Sequence, residues 1–309
     1  MKTKVWMALL AIYLVWGSTY LAIRFAVETM PPFLMAGMRF LISGLILYIW
    51  RRLAGDPAPS RRQWRSAIIV GLLLLLGGNG LVSWAEQHVA SGIAALIVAS
   101  IPLWVALIDA LRPHGIKPDW RIVLGLLIGF GGIVLLVTES EGSSAAPSMS
   151  LAGVAGLLLA AFLWSLGSIY GRDADMPESS LLATGIEMLG GAVGLFIAAT
   201  FIGEWKALNI SAISAQSLFG LGYLIVAGSL VGFTSYSWLL RNAPVSLVAT
   251  YAYVNPVVAI FLGAWLAGEL INLPIVISAL VIIASVVVIN TSKKAKVSEK
   301  PETTAAVAD

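Results

Sequence analysis

Apolar residues come in long unbroken blocks, not in the alternation of a strand or the narrow stripe of a soluble helix. A bilayer-crossing helix needs about 20 apolar residues. Ten blocks approach that length: 5–23, 33–50, 66–86, 91–110, 120–138, 151–170, 180–202, 215–238, 245–267 and 273–291. The third and fourth are nearly continuous, divided only around Gln87–Ser91, so the pattern alone also admits nine. No polar segment of domain length remains between the blocks. The polar end from 292 to 309, KKAKVSEKPETTAAVAD after its first residue, has the composition of a disordered tail.

Composition agrees. Hydrophobic residues make up 59% and charged residues 11%, where soluble domains carry about 25% charged. Cysteine is absent, which excludes disulfides, thiolate metal sites and cysteine nucleophiles. Two histidines, His88 and His114, leave little for a metal cluster. The first block follows Lys2 and Lys4 as a signal peptide would, but WGSTYLAIR continues it without a small-x-small cleavage site.

Charge placement chooses between nine and ten. With the N-terminus cytoplasmic, ten spans put 16 Lys and Arg on the inner side and 2, Arg24 and Lys206, on the outer side. Nine would carry the lysine-rich tail outside. Ten spans with both ends inside is therefore the expectation.

The halves also repeat. A shift of 148 lays Trp16 on Trp164 and Met38-Arg39-Phe40 on Ile186-Glu187-Met188. A shift of 154 lays Ser83-Trp84 on Ser237-Trp238 and Pro102 on Pro256. Five spans per copy is an odd number, so the second copy enters the membrane inverted. Secondary transporters recurrently use this plan, with the substrate site near mid-membrane between the copies.

The motifs YLVWGSTYLAIR, PPFLMAGMRF, GNGLVSWAEQHVASGIAALIVASIPLW, AFLWSLGSIYG and YAYVNPVVAIFLGAWLAGE resemble the EamA family of the drug/metabolite transporter superfamily, close to its YedA-like bacterial exporters. The resemblance spans roughly 5–291 and implies an all-α membrane protein of ten transmembrane helices. These form two inverted five-helix EamA repeats, 5–138 and 151–291, in the bacterial inner membrane. It also implies export of small metabolites or amino acids, without fixing which.

Several residues sit where lipid cannot satisfy them. Pro102 and Pro256 interrupt apolar runs and free the carbonyls four residues back, making hinge or site positions; the plainer reading is a kink that only shapes the helix. Asn255 adjoins one break, with Tyr251 and Tyr253 nearby. Trp16 and Trp164 lie too deep for an interfacial belt and are candidates for pocket walls or for packing. Ser18, Thr19 and Ser168 accompany them as small polar groups that serve a pocket or a helix contact. Helix contact is also expected of Gly125-x-x-x-Gly129 and Gly228-x-x-x-Gly232. Asn79, within GGNGL, is a further substrate-binding candidate.

Arg39 and Glu187 each lie about seven residues into a run, roughly 10 Å deep at ~1.5 Å per residue. A lone charge there costs roughly 2.5–3.5 kcal/mol or more, so each needs a partner. Glu86 is the expected partner of Arg39 and Arg241 that of Glu187, the pairs latching the outer and inner closures in turn. The alternative is that Arg39 snorkels to the surface and Glu187 is protonated or hydrated.

No HExxH, P-loop or buried nucleophile–base pair is found, which argues against an enzyme and leaves gradients as the energy source. The expectation is a secondary transporter that exports small organic metabolites by alternating access. A channel or facilitative pore is the alternative, and an intramembrane enzyme the remoter one. An aromatic, sparsely charged lining suits amino acids or similar amphipathic compounds. Expected partners are the bilayer and a small solute, with no cofactor, metal or nucleic acid. Proton coupling through Glu86 or Glu187 and the oligomeric state are left open.

Overall fold

The computed structural model describes residues 2–112, 120–141, 150–243, 245–248 and 250–298; no strand occurs among them. Among the described residues the longer helices string into ten rods. These are α1 (Lys2–Ala26), α2 (Pro32–Leu53), α3 (Arg61–Ala85), α4 (Ser91–Leu111), α5 (Trp120–Glu141), α6 (Leu151–Asp173) and α7 (Ser180–Ile202), followed by α8, α9 and α10 (Leu273–Ser298). α8 joins Ala215–Tyr223, Leu224–Val231 and Gly232–Asn242, while α9 is the label for the two segments Val245–Val248 and Tyr251–Ala267. Among the described residues seven helices are long and apolar enough to cross a membrane, and Ile122–Thr138, Val254–Ala267 and Leu273–Val288 are shorter apolar helices. α10 continues through Ser298, past the lysines where a disordered tail was expected to begin at 292; the rest of that segment lies outside the described residues.

Small residues let the rods approach. A Cβ on Gly37 would sit 2.8 Å from the Phe196 ring, and one on Gly185 would sit 3.0 Å from the Tyr48 backbone. Under the shift of 148, Gly37 corresponds to Gly185 and Tyr48 to Phe196, so the two contacts are one contact made twice. Each joins the early part of one helix to the late part of the other, so α2 and α7, equivalent in the two halves, pack antiparallel. Small side chains at such crossings replace the hydrophobic drive that lipid removes between helices.

Two rods contain π-helical stretches, Leu72–Gly80 in α3 and Leu224–Val231 in α8. The shift of 154 nearly superposes them, so the irregularity belongs to the repeat. Each widens the helix at a glycine-bearing segment, LLLLLGGNG and LIVAGSLV. Single-turn π elements concentrate at functional positions.

The two prolines sit differently in their rods. α4 stops at Val98 and restarts at Ile101, which makes Pro102 a first-turn residue whose missing N–H would have had no helical acceptor. Pro256 instead lies inside the continuous segment Tyr251–Ala267. Pro102 thus marks a helix start, whereas the helix runs on through Pro256.

Candidate functional site

Trp16 of α1 is the centre of an aromatic cluster built from three rods. Its ring centroid lies 5.4 Å from Phe233, 5.1 Å from Tyr236 and 5.2 Å from Tyr251, with edge or tilted geometry. Tyr236 and Tyr251 are 6.0 Å apart and perpendicular. Such pairs favour each other beyond the area they bury. The indole can lie there because residue 232 is Gly, where a Cβ would run into the ring.

The π-helical stretch of α8 supplies the polar side. Trp16 Nε1 donates to the Gly228 carbonyl at 3.2 Å, and Arg39 Nε donates to Ser229 Oγ at 2.9 Å. Arg39 is 4% exposed, and its guanidinium carbon stands 4.7 Å from the Phe40 ring centroid. It therefore neither snorkels nor pairs with Glu86: the expected Arg39–Glu86 ion pair is absent from this conformation. The physical reason is the π turn, which brings a hydroxyl to the guanidinium. Glu187, half-buried on α7, lies close enough to Tyr236 to interact with it electrostatically. Its expected partner, Arg241, has a side chain outside the described residues, as does Tyr253.

The other sequence candidates divide. Tyr251 joins the cluster; Asn255, 7% exposed, presents an Oδ1 with no partner among the described residues. Ser18 Oγ meets Tyr223 Oη at 2.6 Å and its own helix carbonyls of Leu14 and Val15, so it ties α1 to α8. Thr19 donates to Trp16 O at 2.6 Å and Ser168 to Trp164 O at 2.8 Å, both within their own helices. Asn79 reaches Leu74 O at 3.5 Å inside the α3 π stretch. Trp164 is not in the Trp16 cluster. It repeats the Trp16–Gly232 contact in the other half: a Cβ on Gly78, the equivalent of Gly232, would be 2.8 Å from its ring.

Phe233, Tyr236 and Ser229 are members of the site that the sequence reading passed over. Only the repeat carried a signal for them, since the Gly78/Gly232 pair falls on the shift of 154 already visible at Ser83 and Ser237.

Acids from one half also hold helix N-termini of the other. Glu269 accepts from Ser91 N at 2.7 Å and Gly92 N at 3.0 Å, capping α4. Glu204 accepts from Phe33 N at 3.2 Å and Leu34 N at 2.9 Å, capping α2. Burial pushes the Glu204 carboxyl up from its ordinary range, and the two backbone donors oppose that. Asp56, the equivalent of Glu204, binds Arg51 at 2.8 and 2.6 Å and the Ser179 hydroxyl at the N-cap of α7. These bonds, that to Arg51 first, hold its carboxyl down at about 2.

Residues 3–138 and again 151–291 match the EamA-like transporter family. The chain belongs to that family. It is 40% identical over 267 residues to the protein called uncharacterized inner membrane transporter YedA of Escherichia coli strain K12, covering 86% of this chain and 83% of that one. It is 26% identical to the uncharacterized transporter YvbV of Bacillus subtilis, over 96% and 94% of the two chains. A solved structure titled "Crystal structure of protein" aligns with a TM-score of 0.63 at 19% identity, covering 96% of this chain and 99% of that one, which is a likeness of fold. The EamA match makes the chain a multi-pass membrane protein of a transporter family, and the two matched segments are the two halves whose equivalent helices pack antiparallel.

Proposed function

We propose that the chain is a secondary transporter of small amphipathic metabolites, with amino acids and related carboxylates as the favoured class. It has ten spans with both termini cytoplasmic, in the bacterial inner membrane, and exports its solute by alternating access between the two repeats. The observation that carries this reading is the Trp16–Tyr236–Tyr251 cluster beside the Arg39 guanidinium, at the π-helical segment where the halves meet. The rings offer an apolar wall with phenol hydroxyls at its edge, and Arg39 has four N–H donors besides the one given to Ser229, suited to a carboxylate. Phosphorylated solutes would call for several clustered cations, and Arg39 is the cation of this cluster among the described residues.

The test is uptake into reconstituted vesicles, screened over amino acids and aromatic and aliphatic carboxylates, with and without a pH gradient. Saturable uptake of a carboxylate that Arg39→Gln abolishes is the expected result. Saturable uptake confined to cationic solutes, or conductance far above transporter turnover, would reject it.

A further inference from the structure

Glu86 follows the last turn of α3 on the face opposite the N-terminus, and its exposure is 0%. Neither carboxylate oxygen has a hydrogen-bond partner among the described residues. The charged and titratable groups facing it are Tyr20 and Arg24 of α1 and Glu269 of the turn after α9. On its own segment His88 is exposed and packs on Trp84, 5.3 Å between ring centroids.

None of these satisfies the carboxylate. Arg24 Nη1 is directed to the Glu86 backbone carbonyl, at 2.6 Å. Both Glu269 oxygens are taken by the N–H groups of Ser91 and Gly92 at the α4 N-terminus. Two carboxyl groups thus face each other, Glu86 fully buried and Glu269 half-buried. An anion on Glu86, with no donor of its own, is opposed both by burial and by a facing carboxyl group. A proton on Glu86 removes both objections.

We propose that Glu86 is a proton-binding site whose occupation accompanies closure of this face of the transporter. The inference rests on the alternating-access reading above. When the face opens, water reaches the carboxyl, its O–H bond breaks and the proton passes to water. When it closes, the carboxylate takes a proton from water on the same side and enters the interior neutral. Closure therefore consumes one proton from the solution bathing that face, which makes the step sensitive to pH there.

The experiment uses the full chain in liposomes, with spin labels at His88→Cys and Lys206→Cys; both sites are exposed and the chain has no other cysteine. The labelled protein lacks His88, so a titration near neutrality cannot come from that ring. In infrared spectra a protonated-carboxyl C=O band is expected near neutral pH, lost in Glu86→Gln and kept in Glu187→Gln. The label distance should lengthen as pH rises in the labelled protein carrying Glu86, and stay short at every pH in Glu86→Gln, which mimics the protonated acid. A band that survives Glu86→Gln, or a distance indifferent to pH with Glu86 present, overturns the proposal. If Glu86→Gln fails to assemble, the absence of any protonated-carboxyl band from Glu187→Gln overturns it as well. Neither readout needs a solute, so an empty uptake screen and an empty titration are separate failures.

Discussion

Trp16 illustrates how one side chain acquires a role. Its neighbours in the chain are bland, yet its ring meets three others and its N–H closes on the Gly228 carbonyl. Trp16→Ala should weaken half-saturating uptake about tenfold, about 1.4 kcal/mol, and Trp16→Phe by less, since the wall survives and only the N–H is lost. Concentration-dependent vesicle uptake measures both. Asp56 shows a different residue-scale effect. Its folded-state carboxyl is held at about 2, below the ordinary aspartate value near 3.9. The sign follows: its contribution is complete above the unfolded value and is lost as pH falls towards the folded one. Asp56→Asn should therefore lower the melting temperature at pH 7, with the difference from the parent shrinking between roughly pH 4 and 2. Thermal unfolding of the purified protein across that range is the check.

At the scale of elements, termini and glycines carry the argument. The N-terminus of α4 leaves N–H groups that its own helix cannot satisfy, and Glu269 from after α9 accepts two of them. Glu269→Ala should cost about 0.5–2 kcal/mol, the usual range for removing a cap, read as a fall in melting temperature with Glu269→Gln intermediate. The π segment of α8 is held open by the absence of side chains at Gly228 and Gly232. Gly232→Ala pushes into the Trp16 indole, an overpacking of about 1–3 kcal/mol. It should shift Trp16 fluorescence and impair uptake together, whereas Gly222→Ala, with nothing within 4 Å of the added carbon, should do neither. Here the sequence was half legible. GGNG and AGSLVG mark sites of close approach, but no periodicity distinguishes an i→i+5 turn from an i→i+4 one, because the inserted residue disturbs the apolar pattern by less than the pattern's own noise.

At the scale of the whole molecule, the reciprocal contacts Gly37–Phe196 and Gly185–Tyr48 place the two halves about a pseudo-twofold relation. Ten spans follow if the three shorter apolar helices also cross. Single cysteines at Ala58 and Lys206 should then react with impermeant reagent from opposite sides of sealed vesicles. Reaction from the same side would contradict the inverted arrangement. The acid clamps fit this scale too: Glu204 and Asp56 are equivalent residues on opposite faces, each holding a helix start of the other half. Such contacts are suited to parting and re-forming as a face opens and closes.

The sequence by itself determined that this is a multi-pass helical membrane protein with a doubled EamA unit. Apolar run length and the self-match at constant offsets are local or additive properties, readable without knowing what touches what. It also singled out Trp16, Tyr251 and Arg39, because a polar or bulky group deep in an apolar run must have a partner. Which partner was decided only by tertiary structure. Arg39 meets Ser229 rather than Glu86, Glu269 caps α4, and Trp164 mirrors Trp16 at Gly78 instead of joining its cluster. Those choices depend on helix rotation and depth, which a hydrophobic pattern in lipid leaves undetermined, since every face of such a helix can be equally apolar.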